Sequence, residues 1–274
     1  MTKKQVLKDF MDSILSITGK KNENEIQFFL ENNPDLIPTP YLLNHGLHFD
    51  FIISKLAISD QLKSDFAYLT KSSVEWVAVL MELEASNKRI FNDNDKNINF
   101  SAEFNNAYDQ ILSWRAYLQS HQEEFKNKLI YLLAHMSDNP ISFQYILIIG
   151  RSSELTTNER KSLFAQKNKD GIRVMTYDSL IRAYLTNKRD YRNIVAKVKN
   201  GFELKSYHSE THTVAFANMK KGNFFFDATI KAKLIADGYD IPAWESGLSL
   251  GWNRKHPLQP GKAKEDFMIR KIKD

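Results

Sequence analysis

Hydrophobic positions along the chain switch between helical and strand spacing in an order that predicts a mixed α/β architecture. Val6, Phe10, Ile14 and Ile17 recur at helical intervals, and Ile26, Phe29 and Leu30 do so again over 23–31 before Asn33-Pro34 stops the second helix. Short β-rich runs follow at 47–53 and 65–69. Thr70-Lys71-Ser72-Ser73 then supplies a turn into the apolar run 74–83, which predicts a hairpin with a buried second strand. Ser101 as N-cap, with Glu103 in the first turn, opens a long helix to about Leu118, and another helix is expected over 121–135. The run 145–149 reads as a buried strand, 157–166 as a helix and 172–176 as a strand. That order implies parallel pairing. A helix from Asp178 or Ser179 to about Leu185 closes this part. Beyond it the pattern loosens into a possible strand at 211–217, the aromatic run Phe224-Phe225-Phe226 and a short helix over 228–236.

Composition narrows the chemistry. The 274 residues, 42% of them apolar, are enough to bury a sizeable core, and no period of repetition is visible. With no cysteine there is no disulfide, thiolate nucleophile, iron–sulfur cluster or Cys-held zinc, so any metal must be held by oxygen or imidazole. No run approaches the ~18 apolar residues of a membrane span, and Asp9 and Asp12 interrupt the first apolar stretch. A soluble, cytoplasmic protein without a membrane partner is expected. The net charge of +5 is unevenly spread: residues 188–274 carry 17 Lys/Arg against 10 Asp/Glu, while 1–187 carry 21 against 23. Arg254, Lys255, Lys262, Lys264, Arg270, Lys271 and Lys273 cluster near the end, a distribution suited to phosphate backbones or simply to a solvated tail.

One constellation stands out. On a strand over 74–83, Val77, Val79, Met81 and Leu83 point one way, and Glu82 and Glu84 emerge together on the other face at the strand's end. Asp65 on the partner strand can lie beside them. Three carboxylates with the Leu83 carbonyl between two of them make a hard-oxygen cage suited to Mg²⁺, although an acidic, solvated sheet edge has the same spacing. Glu103, Ala107, Gln110 and Trp114 form one helical stripe, so two polar groups are expected to face the sheet, where Gln110 could bond the acids or a metal-bound water.

The order Asn33-Pro34-Asp35-Leu36-Ile37, Ser64-Asp65-Phe66, Met81-Glu82-Leu83-Glu84 and Gln110-Ile111 with Trp114 resembles the Shedu anti-phage nuclease domain (DUF4263), of the PD-(D/E)XK nuclease superfamily. Leu147-Ile148-Ile149-Gly150-Arg151, Glu159-Arg160 and Thr176-Tyr177-Asp178-Ser179-Leu180 continue the likeness, which covers about 20–186. The resemblance implies a PD-(D/E)XK-like central mixed sheet flanked by helices over 20–187, preceded by an N-terminal helix at 1–19 and followed by a smaller basic α+β accessory region at 188–274. It implies a Mg²⁺-dependent DNA endonuclease, Mn²⁺ substituting, working on DNA as a homo-oligomer. Asp65 and Glu82 become metal acids with Leu83 and Glu84 as further ligands, Gln110 the helix glutamine and Glu25 a helix acid facing the site. Where the superfamily most often has Lys, this chain has Glu84, which could be a ligand or the general base, and Lys88 could supply the missing cation. A fold that has lost catalysis and serves as a DNA-binding, sensor or assembly module is the alternative.

Weaker signals are His208 and His212 at metal-binding spacing, His45 and His48 before the first strand, Asp50 as a rival site acid, Phe224-Phe225-Phe226 with Lys220 and Lys221 as a base-stacking surface, and Trp244 and Trp252. Each fits ordinary packing or solvent exposure better.

Overall fold

The structure, a computed structural model, describes residues 3–16, 22–92, 97–133, 136–186, 191–211 and 214–251. Its centre is one eight-stranded mixed sheet. The strands are β1 (Leu47–Ser54), β2 (Phe66–Lys71), β3 (Trp76–Leu83), β4 (Ile141–Ile148), β5 (Ile172–Met175), β6 (Asn193–Val198), β7 (Gly201–Ser206) and β8 (Phe224–Phe226). They lie in the order β5-β4-β3-β2-β1-β6-β7-β8. The expected hairpin is β2–β3, and β1 pairs antiparallel with β2. The β3–β4–β5 side is parallel, as the strand–helix–strand reading required.

Helices cover both faces. They are α1 (Lys3–Ser16), α2 (Asn22–Asn32), α3 (Ala102–Ser120), α4 (Gln122–Lys128), α5 (Ile130–Leu133), α6 (Asn158–Gln166), α7 (Tyr177–Thr186), α8 (Ala215–Asn218), α9 (Ala228–Ala236) and α10 (Ile241–Glu245). Ser101 caps α3 by accepting from the Phe104 amide, as its sequence signal predicted, and the helix expected over 121–135 breaks at Leu129 into α4 and α5. Because both faces are covered, all eight residues of β3 are buried. Trp76, Ala78 and Leu80 join a core with Phe104, Ile111, Trp114 and Leu118 of α3, while Val77, Val79, Met81 and Leu83 join a second core with Ile26 and Leu30 of α2 and Tyr177 and Leu180 of α7. The run 76–83 is thus apolar because it faces two cores.

In the C-terminal part β6 lies parallel to β1 and carries β7 and β8 outward, so residues from 193 on extend the same sheet. Periodicity missed β6 and β7 because their inward residues alternate with Lys197, Glu203 and Lys205 over only six positions each. The strand expected at 211–217 is absent from its described part, where Ala215–Asn218 is helical and the Thr211 hydroxyl bonds the His208 carbonyl. The aromatic run is β8, with Phe224 buried against Phe51, Phe216 and Trp244, whereas Phe225 is exposed.

Candidate active site

Three strand ends meet at one edge of the sheet. The registers Ser54↔Phe66 and Phe66↔Met81 bring the end of β1, the start of β2 and the end of β3 together. Asp65, just before β2, is held there by its own backbone: its amide donates to the Met81 carbonyl at 3.0 Å and its carbonyl accepts from the Lys55 amide at 2.8 Å. Its carboxylate is engaged on both oxygens, Oδ2 accepting from the Leu83 amide at 2.7 Å and Oδ1 from Lys55 Nζ at 2.5 Å. Glu82 Oε1 accepts from Gln110 Nε2 of α3 at 2.6 Å. Glu84 pairs with Lys88 four residues on, and its carbonyl accepts from the buried Tyr177 hydroxyl at 2.6 Å. Asp65, Glu82 and Glu84 are only 5%, 8% and 7% exposed, so they are sheltered carboxylates rather than a solvated edge.

The helix acid at this edge is Glu23, not Glu25. Glu25 is exposed, whereas Glu23 lies within electrostatic reach of Asp65, Glu84, Lys88 and Lys55. Gln27, one turn further along α2, is buried and donates to the Asp65 carbonyl at 3.3 Å and to Glu31 at 3.1 Å, and Glu31 accepts from Ser54. The spacing 23, 27, 31 places all three on one helical stripe beside Ile26 and Leu30. That i, i+4, i+8 pattern of Glu, Gln and Glu was the available signal for them.

Burial and the crowding of negative charge both act on these acids. Glu82 is pushed up to about 9, by burial first and then by the charges of Asp65, Glu84 and Glu23, with the Gln110 hydrogen bond acting in the opposite sense. Burial, with Asp65 and Glu84, also raises Glu23, and Lys88 and Lys55 oppose that shift. Burial alone would lower Lys88, but the Glu84 hydrogen bond and the charges of Glu84, Glu23 and Glu103 outweigh it and raise the ammonium.

Lys88 is delivered by a fastened loop. Glu154 Oε2 accepts from the Ile90 amide at 2.9 Å and from the Phe91 amide at 3.3 Å, and Glu103 Oε2 accepts from the Arg89 amide at 2.9 Å. Glu103 therefore stays on the exposed side of α3 and ties down this loop, where the stripe argument pointed it at the sheet. Gly150, at φ +62°, lets the loop approach: a Cβ there would lie 2.8 Å from Ile90 Cγ1 and 3.0 Å from the Lys88 carbonyl.

The other candidates fall elsewhere. Asp50 lies in the irregular part of β1 between Leu47 and Ile52, short of the strand end that meets Asp65. His48 is half-buried, its Nε2 2.7 Å from the Leu132 carbonyl, and the His45 amide donates to the Lys71 carbonyl. The His208 ring stacks on Tyr191, and Trp244 donates to the Met219 carbonyl. His212, Trp252 and the basic cluster from Arg254 onward lie outside the described residues.

Among the described residues, no three His, Asp or Glu side chains are already arranged around a common point to hold a metal ion. Asp65, Glu82 and Glu84 are each turned to a separate donor, Lys55, Gln110 and Lys88. The donor set itself suits a divalent cation. Four carboxylates face two ammonium groups, and all the candidate ligands are hard oxygens. No helix among the described residues is long and apolar enough to cross a membrane.

No curated protein matches the chain. A family model described as "Shedu protein SduA, C-terminal" matches residues 20–181, a span that runs from α2 into α7 and contains every carboxylate, lysine and glutamine of this sheet edge. With well over half of its length so matched, the chain belongs to the Shedu protein family.

Proposed function

We propose that this chain is a metal-dependent DNA endonuclease with a PD-(D/E)XK-type site, acting in anti-phage defence in the cytoplasm as a homo-oligomer. The observation that carries the reading is the convergence of Asp65, Glu82, Glu84 and Glu23 on one sheltered sheet end, with Lys55, Lys88 and Gln110 among them. A divalent cation held by Asp65, Glu82 and the Leu83 carbonyl, Mg²⁺ or in its place Mn²⁺, would supply Lewis-acid polarisation of the phosphate oxygens. Glu84 orients the attacking water and takes its proton as the new phosphorus–oxygen bond forms. The bond to the leaving sugar oxygen breaks, and that oxygen takes a proton from solvent. Lys88, steadied by the loop that Glu103 and Glu154 fasten, offsets charge on the phosphoryl oxygens. Gln110 sets the direction of the Glu82 carboxylate.

The test is incubation of the purified chain with linear, circular and single-stranded DNA in Mg²⁺, Mn²⁺ or EDTA, alongside Asp65→Asn. Metal-dependent cutting that EDTA and Asp65→Asn both abolish supports the reading; no cutting of any form overturns it. One observation favours a second reading, a DNA-binding or assembly module without catalysis: Asp65, Glu82 and Glu84 each already have a fixed partner, as a purely structural network would. DNA binding that needs no metal, without cutting, would select it.

A further inference from the structure

Lys55 is the residue of this edge that no sequence pattern singles out. It follows β1 immediately, and its backbone sits in the left-handed region at φ +50°. A non-glycine residue there is uncommon and is kept in place by its surroundings. Two contacts do so here: the Lys55 amide donates to the Asp65 carbonyl at 2.8 Å and its ammonium to Asp65 Oδ1 at 2.5 Å. Asp65 is nearly enclosed while the Lys55 side chain remains 37% exposed. Its ammonium therefore bridges the sheltered acid and the solvent side from which a nucleic acid would approach.

The other oxygen of Asp65 is committed to the Leu83 amide, a bond that fixes the carboxylate against β3. A cation reaching Asp65 from the open side meets Oδ1, the atom that Lys55 already holds. Lys88 is not equivalent: it pairs with Glu84 on its own loop.

We propose that Lys55 is a second phosphate-contacting cation of the site beside Lys88, its ammonium held by Asp65 Oδ1 in the metal-free protein and turning to the DNA backbone when a divalent ion binds at Asp65. The proposal rests on the nuclease reading for its ligands. It makes metal and DNA favour each other's binding, since each is the partner that the Lys55–Asp65 pair gives up. Lys55 acts as a positioning residue toward Asp65 and as a direct contact toward phosphate.

The test is equilibrium binding with the full chain. Mn²⁺ alone is titrated calorimetrically into wild type, Lys55→Met, Lys55→Gly and Lys55→Arg, and a phosphorothioate DNA duplex is then bound with and without Mn²⁺. Lys55→Gly accommodates the left-handed backbone and removes only the side chain, so it guards against misfolding of Lys55→Met. Expected is Mn²⁺ affinity about fivefold higher in Lys55→Met and Lys55→Gly, the size set by an ion pair whose lysine is partly exposed. The Mn²⁺-dependent gain in duplex affinity should shrink by a comparable factor and the salt slope by about one, with Lys55→Arg retaining the gain. Unchanged or weaker Mn²⁺ binding in both variants, or an undiminished Mn²⁺-dependent gain, overturns the proposal. Neither readout involves turnover. A wild type that binds as expected but cuts no DNA would remove the nuclease reading and leave the exchange at Asp65 standing.

Discussion

Gln110 Nε2 donates to Glu82 Oε1 at 2.6 Å, joining the middle of α3 to the end of β3. Neither residue is charged against the other, so the bond survives protonation of the carboxyl group and fixes its direction in either state. Burial first, and then the neighbouring carboxylates, disfavour Glu82 as an anion, and it carries an uncharged amide partner where Asp65 and Glu84 have lysines.

Gln110→Leu leaves a buried Glu82 oxygen without its donor. The loss should be about 1–3 kcal/mol of stability, read by urea unfolding without metal. Cleavage should fall by a larger factor than stability alone accounts for, because the acid loses its orientation. A variant as stable and as active as wild type would show that the contact matters to neither.

The pH dependence of the metal-free protein follows from Glu82. Its folded-state value is raised to about 9 from the ordinary 4.5, so between those values the native state holds a proton that the unfolded chain has released. Stability therefore falls as pH rises through this window. Glu82→Gln, which cannot ionise, should flatten that fall and be more stable than wild type at pH 8 by ~1–4 kcal/mol, while losing metal-dependent cleavage. Parallel pH profiles of thermal midpoint for the two proteins would refute it.

Gly150→Ala adds a Cβ against Ile90 and the Lys88 carbonyl at a positive φ that alanine resists. The strain and the displaced loop together should cost roughly 1–3 kcal/mol. Because the loop carries Lys88, activity should drop even in the folded fraction, measurable as single-turnover cleavage at a temperature where circular dichroism is unchanged.

The sheet separates two truncations that look alike in sequence. Ending the chain at 187 removes β6, β7 and β8, uncovers the β1 edge and strips Val195, Phe202 and Phe224 from the core, so that product should be insoluble or unfolded. Ending it at 251 keeps every described element and removes seven Lys/Arg against three Asp/Glu. The shorter cut should leave the thermal midpoint within a few degrees and flatten the salt dependence of DNA binding. An unaltered salt slope would place the DNA surface elsewhere.

Local pattern determined much of this protein by itself. Strands 1 to 5 and the helices between them follow from apolar runs and helical spacing, and from the cap Ser101, because those features act within a few residues of each other. Asp65, Glu82, Glu84 and Gln110 were also legible: two are fixed by strand alternation and the others by the neighbouring strand and helix stripe. What only the tertiary structure decided is which elements share an edge. Glu23 rather than Glu25 meets the acids because the packing of Ile26 and Leu30 against the sheet sets the rotation of α2. Lys55 meets Asp65 because β1 lies beside β2 and its last turn is left-handed, a pairing across ten residues that no periodicity encodes. The same holds for β6, whose place beside β1 joins positions about 140 residues apart in the chain. Local propensity specifies elements, and long-range burial of two opposed cores specifies their order and rotation, and with these the company each carboxylate keeps.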